Sequence, residues 1–330
     1  MSTPRITIYE VAERAQVSIS TVSNALNRPE RVSAATRERV LAVADELGFV
    51  PKAQAVQLAR RGTGRIGVMA PFTAYASYFR RLSGVLSTAA DLDLEVVLFD
   101  HESAALATSP VLASMPIHGR LDGLMVMGLE IESAIAERLA LRGMPTVAVD
   151  ARSSIFSTVV IDDVEGGRVA ARHLIDRGYS SFGYVVEHQV SDYESQAVLR
   201  RRGFQEAVGA AGHGTVTVVD SENSVGGARA AARRLLESAA RPRAVMAHHD
   251  LLAVGVLLAA RDLGLRVPED VAVMGFDDGE VADAADLTTV RQPFEQSGGV
   301  ALRVLLAQIA GSQVRQSTTL GVELIQRATT

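Results

Sequence analysis

The spacing of apolar residues changes character near residue 65. Before it they recur every three or four positions: Val11, Ala12 and Ala15, then Val22, Ala25 and Leu26, then Val40, Leu41, Ala44 and Leu47. That period predicts three short amphipathic helices. Thr7 with Glu10 forms a capping box at the start of the first, Ser18 and Ser33 can cap the second and third, and Gly48 with Pro51 ends the third. Packing Val22, Ala25 and Leu26 against the first helix leaves Ile19, Ser20, Ser23, Asn24 and Asn27 on the outer side of the second. Such short or amide side chains let a helix enter a DNA major groove about 12 Å wide. An ordinary helical hairpin shows the same pattern, so these helices alone leave both readings open.

After residue 65 continuous apolar runs alternate with amphipathic stretches. The runs are 65–70, 94–99, 123–127, 146–149 and 158–161 in the first half, then 182–186, 216–219, 244–246 and 271–276. Strands of this kind, separated by helices, predict parallel sheets covered on both faces, and their number favours two α/β lobes. Ligands of such sheets bind beyond the carboxyl ends of the strands, where this chain places Asp100, Asp150, Asp162 and Asp277. Each of the four fits a helix N-cap as well as a ligand contact.

Charge sharpens the division. The 330 residues carry net −5, but residues 1–62 hold nine basic side chains against six acids, a net +3, leaving −8 for the remainder. A basic head on an acidic body confines phosphate attraction to the head. The chain has no cysteine, which fits a reducing compartment. It has no apolar run long enough to span a membrane and no signal-peptide pattern, so a cytoplasmic location is expected.

Three chemical alternatives weaken on inspection. Gly62-Thr63-Gly64-Arg65-Ile66-Gly67 matches a dinucleotide loop, but the expected strand follows it instead of preceding it. His248 and His249 precede Asp250, yet neighbours on a strand point to opposite faces, which argues against a shared metal. No hydrolase, zinc-protease or phosphate-loop motif is present, so neither catalysis nor a cofactor is expected.

Leu26-Asn27-Arg28-Pro29-Glu30-Arg31-Val32-Ser33, Arg37-Glu38-Arg39-Val40-Leu41 and Leu47-Gly48-Phe49-Val50-Pro51 follow in order. Together with the helix pair they resemble the lactose-repressor/galactose-repressor family, from Thr7 to the C-terminus. The resemblance implies a three-helix helix-turn-helix head over 1–50, a hinge over 51–63, and a two-lobed body like a periplasmic sugar-binding protein over 64–330. The chain would cross between lobes near 162–164, 287–293 and 320–323, with lobe 1 at about 64–162 and 292–320 and lobe 2 at about 163–290 and 321–330. It further implies DNA contacts from Thr7, Ser18, Ile19, Ser20, Thr21, Ser23, Asn24, Asn27 and Val32. In the hinge, Leu58 would wedge into the minor groove with Ala59 beside it. Effector contacts are implied for Asp150, Arg200, His249 and Asp277, while Tyr78 and Phe79, where the first helix of the body begins, fit packing on the ligand and a plain core role equally.

Two departures bear on specificity. Many relatives carry arginine where this chain has Asn24, and asparagine pairs best with adenine, so a different operator is expected. Where relatives often stack an aromatic ring on the effector stands Glu222, which disfavours a flat purine and favours a polyol, amino sugar or other cation-bearing ligand. The expected protein is a homodimeric repressor of a palindromic operator, controlled by a small molecule, most simply a carbohydrate. A solute-binding protein for sugar transport and a nicotinamide oxidoreductase are the rival readings; the DNA head speaks against the first.

Overall fold

The computed structural model describes residues 8–27, 31–47, 62–101, 121–191 and 193–330. Thr7, Leu58, Ala59 and the rest of 51–61 lie outside them, as does the side chain of Asn27.

The head is built from α1 (Ile8–Arg14), α2 (Ile19–Asn27) and α3 (Ala34–Leu47). Val11, Ala12, Ala15, Val22, Ala25, Val40 and Ala44 are buried in one small core, with Val17, Val32, Val43 and Leu47 packed on it. Ser18 Oγ accepts from the Thr21 amide at 3.1 Å and Ser33 Oγ from the Thr36 amide at 3.2 Å, so each hydroxyl satisfies an orphan donor of its helix. The turn between α1 and α2 passes through Gln16 at φ +53°. A seven-residue core of this kind holds three helices that could not persist singly.

The body begins with β1 (Arg65–Ala70). Then follow α4 (Ser77–Ala89), β2 (Glu95–Asp100), β3 (Gly123–Met127), α5 (Ser133–Leu141), β4 (Thr146–Val149) and β5 (Ser157–Ile161). The next stretch is α6 (Asp163–Asp176), β6 (Phe182–Glu187), α7 (Gln196–Ala210), β7 (Thr217–Ser221), α8 (Val225–Glu237), β8 (Ala244–Ala247), α9 (Asp250–Asp262) and β9 (Ala272–Met274). Last come α10 (Glu280–Ala284), β10 (Thr289–Arg291), α11 (Phe294–Ile309), β11 (Ser317–Leu320) and β12 (Glu323–Ile325). One sheet has the order β11-β5-β4-β3-β1-β2 and a second the order β7-β6-β8-β9. Every register resolved within them is parallel. β3, β4, β6 and β8 are buried along their whole length, which is why they read as unbroken apolar runs.

The chain leaves the first sheet after β5, returns to it through β10 and α11, and leaves it again after β11. β10 and β12 pair antiparallel, Thr289 opposite Ile325, and so tie the second and third passages to each other. Asp162 Oδ1 caps α6 through the Glu165 amide at 2.9 Å, so this strand-end acid is a helix cap. Thr63 and Gly64 donate their amides to the Asp122 carboxylate, both at 2.6 Å. The glycine loop that resembles a nucleotide motif thus turns its donors onto a carboxylate.

Two helix pairs touch backbone to backbone. A Cβ on Gly84 of α4 would lie 1.8 Å from the Glu295 carbonyl oxygen, and one on Gly298 of α11 would lie 1.9 Å from that of Arg81. Between α6 and α7, a Cβ on Gly167 would meet the Arg200 carbonyl oxygen at 2.0 Å and one on Gly203 that of Val164 at 1.9 Å. These contacts fix the backbones from which Arg81 and Arg200 extend.

Candidate functional site

In the head, α2 turns Val22 and Ala25 inward and leaves Ser18, Ile19 and Ser20 exposed, with Thr21, Ser23 and Asn24 half-buried. Ile19 is an apolar side chain 41% exposed and lies outside the buried head core. Ser18 Oγ lies 2.7 Å from Ser20 Oγ and 2.8 Å from Thr21 Oγ1, which holds the start of α2 as a cluster of small hydroxyls. Val32, expected at the DNA, packs partly on the head core.

In the body, a cleft opens at the carboxyl ends of β4, β6, β8 and β9. Tyr78, Asp150, Arg200, His249 and Asp277 line it. Phe79 and Glu222 do not: Phe79 is half-exposed against Phe72, and Glu222 is exposed before the cap of α8. Asp100 is also outside the lining, where it accepts from the amide of Thr73 at 3.0 Å. Of the four strand-end acids, Asp150 and Asp277 reach the cleft. Both bend the backbone into positive φ, +52° at Asp150 and +111° at Asp277, and Asp278 follows at +53°. Non-glycine residues in these conformations cost of order 1–3 kcal/mol each and collect where a site over-determines them.

Two buried arginines belong to this lining. Arg200 donates Nε to Asp163 Oδ1 at 2.7 Å and Nη1 to the His248 carbonyl at 2.9 Å, and lies 3.5 Å from Asp277 Oδ1. Its guanidinium sits 3.9 Å from the centre of the Phe276 ring. Arg81 pairs with Asp150 Oδ2, and its guanidinium lies 4.4 Å from the Phe294 ring and 5.2 Å from Tyr78. Planar guanidinium groups suit both a carboxylate and a ring face.

Burial dominates the titration of these groups. It lifts Asp163 to about 6 against the pull of Arg200, and lifts Asp150 and Asp277 in the same direction. Burial and the Asp277 carboxylate together raise Asp250, which accepts from the Gly279 amide at 2.8 Å and from the Thr289 hydroxyl at 2.6 Å. His249 is pushed down to about 3 by burial and by Arg200, and His248 is lowered too. Both imidazoles are therefore neutral near pH 7.

The neutral form of His249 explains its bonds. Nδ1 accepts from the Leu252 amide at 3.4 Å and caps α9, so Nε2–H faces Asn223 Oδ1 at 2.9 Å. Asn223 in turn donates to the Ala74 carbonyl at 3.4 Å. The two histidine rings lie 4.4 Å apart and both line the cleft, against the expectation that they point to opposite faces. β8 ends at Ala247, so strand alternation no longer governs them. Among the described residues no group of three or more His, Cys, Asp or Glu is arranged to hold a metal.

Several lining residues lay outside the sequence reading: Arg81, Tyr75, Glu187, Tyr193, Gln196 and Gln292. The signal for Arg81 was present, because it interrupts the buried stripe Tyr78, Leu82, Val85 and Ala89 of α4. Tyr75 donates its hydroxyl to Glu187 Oε2 at 2.6 Å, while Tyr193 and Gln196 donate to the Asp150 carbonyl. Six buried side-chain polar atoms of the described residues make no hydrogen bond within the protein. Four of them, Arg81 Nε, Asp150 Oδ1, His248 Nδ1 and Gln292 Oε1, belong to this lining. A buried polar atom left unpaired costs roughly 1–3 kcal/mol, so four together in one lining make this cleft the candidate site for a polar ligand.

A sequence profile described as bacterial regulatory proteins of the lacI family matches residues 7–52, and one described as a periplasmic binding protein-like domain matches residues 171–330. The transcriptional repressor PurR of Erwinia tasmaniensis is 32% identical over 94% of this chain and 93% of its own length. This chain belongs to the lacI family of bacterial regulatory proteins. Its similarity to the transcriptional regulator DegA of Bacillus subtilis is 28% over 99% of the chain and 98% of that protein. Among solved structures, the Lac repressor dimer bound to operator and the anti-inducer ONPF superimposes with a TM-score of 0.77 at 26% identity, covering 99% of both chains. A complex of the regulator CelR with cellobiose gives 0.69 at 29% identity, over 99% of this chain and 100% of that one. The helix-turn-helix head and the parallel-sheet body are the family's two parts. Among the described residues no helix is long and apolar enough to cross a membrane.

Proposed function

We propose that this protein is a homodimeric transcription repressor that binds a palindromic operator and releases or grips it according to a small molecule in the body cleft. The reading takes α2 as the element that enters the major groove, with Ile19, Ser20 and Asn24 at base edges. It takes 51–63 as a hinge with Leu58 as a minor-groove wedge, on the family resemblance alone. The effector class it favours is a sugar or related polyol, since the lining is rich in carboxylates, amides and tyrosines that bond hydroxyl groups. The operator-bound Lac repressor and the cellobiose-bound CelR support both partners by similarity. Pairing with a second copy rests on similarity to the Lac repressor dimer.

The observation that carries the effector half is the set of four unpaired buried polar atoms in one lining. A solute-binding role in transport would share that cleft, but it would have no use for a head whose second helix presents small polar side chains. In vitro selection of operator sequences with the full chain, followed by a thermal-shift screen of sugars and polyols, tests the whole reading. Enrichment of a palindrome and at least one stabilising ligand that alters operator affinity is the expected result; a pool that never enriches would overturn it.

A further inference from the structure

The charges of the cleft do not balance. Asp150, Glu187 and Asp277 line it against Arg81 and Arg200, and Asp163 stands behind Arg200. The histidines are neutral and supply no cation. Arg81 is engaged by Asp150 and Arg200 by Asp163, which leaves Glu187 without a positive partner among the described residues. Glu187 is nevertheless only 7% exposed, held by the Tyr75 hydroxyl. Burial raises its pKa, and that one hydrogen bond is all that opposes the rise.

Hydrogen bonding is out of balance in the same sense. Asp150 Oδ1 and Gln292 Oε1 are buried acceptors with nothing donating to them, whereas Arg81 Nε is the single unpaired atom in the lining that can act only as a donor. The cleft therefore calls for a ligand that gives more hydrogen bonds than it receives and brings a positive charge. Tyr75 and Tyr78, with ring centres 6.1 Å apart, share the lining with Tyr193, and tyrosine faces attract cations. An anionic sugar acid or sugar phosphate would add like charge to three acids in a poorly solvated space.

Resting on the reading of this cleft as the effector site, we propose that the effector is a small polyhydroxylated amine, of the amino-sugar or amino-polyol class. Its ammonium group lies against Glu187 and the tyrosine rings, and its hydroxyls donate to Asp150 and Gln292. An ammonium group supplies three donors and one positive charge, which answers both imbalances with a single functional group.

The test is calorimetric titration of the full chain with matched triplets: 2-amino sugars and 1-amino polyols, each beside its N-acetylated form and its parent hydroxyl compound. At least one amine is expected to bind about tenfold more tightly than both neutral counterparts, a margin ordinary for one buried charge contact. Glu187→Gln, which keeps size and hydrogen-bonding capacity, should erase that margin, so that amine and neutral members of a triplet bind alike. Neutral members binding as tightly as the amines, or an amine margin that survives Glu187→Gln, would overturn the amine assignment and leave the cleft reading intact. Binding of no member of any triplet would overturn the cleft reading together with the assignment built on it.

Discussion

The two walls of the cleft use the same parts to different ends. Arg200 on α7 and Arg81 on α4 are both buried, both paired with an aspartate and both stacked on a phenylalanine. Each stands on a helix drawn against its neighbour by glycines. Arg200, however, reaches Asp163, the His248 carbonyl and the vicinity of Asp277, so it ties α6, α7 and the turns after β8 and β9 into one unit. The Arg81–Asp150 pair leaves Arg81 Nε and Asp150 Oδ1 buried without a hydrogen-bond partner. A buried ion pair with all its partners inside the protein holds structure; one with atoms left over is set up to receive something.

Breaking the first wall should have the largest effect. Arg200→Ala leaves the Asp163 carboxylate buried and uncompensated, and urea denaturation of the body is expected to show a loss of about 3–5 kcal/mol. Gly203→Ala pushes a methyl group into the Val164 carbonyl oxygen and is expected to cost roughly 1–3 kcal/mol by the same assay, through strain between α6 and α7. If either variant denatures like the unaltered chain, the first wall is not the structural one.

The pH dependence separates the walls further. Asp163 is lifted to about 6 in the folded protein, against about 3.9 in an unfolded chain. The folded state therefore holds this proton more tightly. Its ionisation penalises folding in full above pH 6, and the penalty is relieved as pH falls from about 6 to 4. Stability measured across that window should flatten in Asp163→Asn, by on the order of 1–3 kcal/mol, and an unchanged slope would contradict the assignment.

At the second wall the expected losses are in affinity. Arg81→Lys keeps a positive charge for Asp150 but removes the unpaired Nε and the planar fork, so ligand affinity should fall about tenfold while stability changes by no more than about 1 kcal/mol. Equal losses of stability for Arg81→Lys and Arg200→Lys would erase the contrast. The smallest effect belongs to Glu222→Gln. The side chain is exposed and outside the lining, so titration should give a ligand Kd within about twofold of the unaltered chain's, since exposed charges contribute little.

The architecture was legible because its determinants are local and periodic. The head helices follow from Val11, Val22 and Val40 at helical spacing with serine caps, and the parallel strands from runs such as Gly123–Met127 that have no polar face. The cleft lining was legible where strand ends announce it, at Asp150 and Asp277. It was not legible where the lining comes from residues with ordinary neighbours: Glu187 ends a buried strand, Gln292 sits in a crossing, and Tyr75 and Tyr193 lie in irregular segments between elements. Their roles arise from the tertiary approach of segments far apart in sequence, as when Tyr75 meets Glu187, 112 positions away. Phe79 and Glu222 show the converse: a position inferred from relatives can fall a helical step or a cap away from the cleft that these residues form.

The central claim is that a ligand bound against the second wall, where buried polar atoms lack partners, changes how the full chain holds DNA. Fluorescence anisotropy with a selected operator, titrated at increasing concentrations of a ligand found in the screen, tests it directly. The operator Kd should shift about fivefold or more at saturation, within the usual range of coupling between sites. In Arg81→Lys the same shift should require a correspondingly higher ligand concentration. A ligand that saturates the chain without moving the operator Kd, or that moves it at the same concentration in Arg81→Lys, would contradict the account.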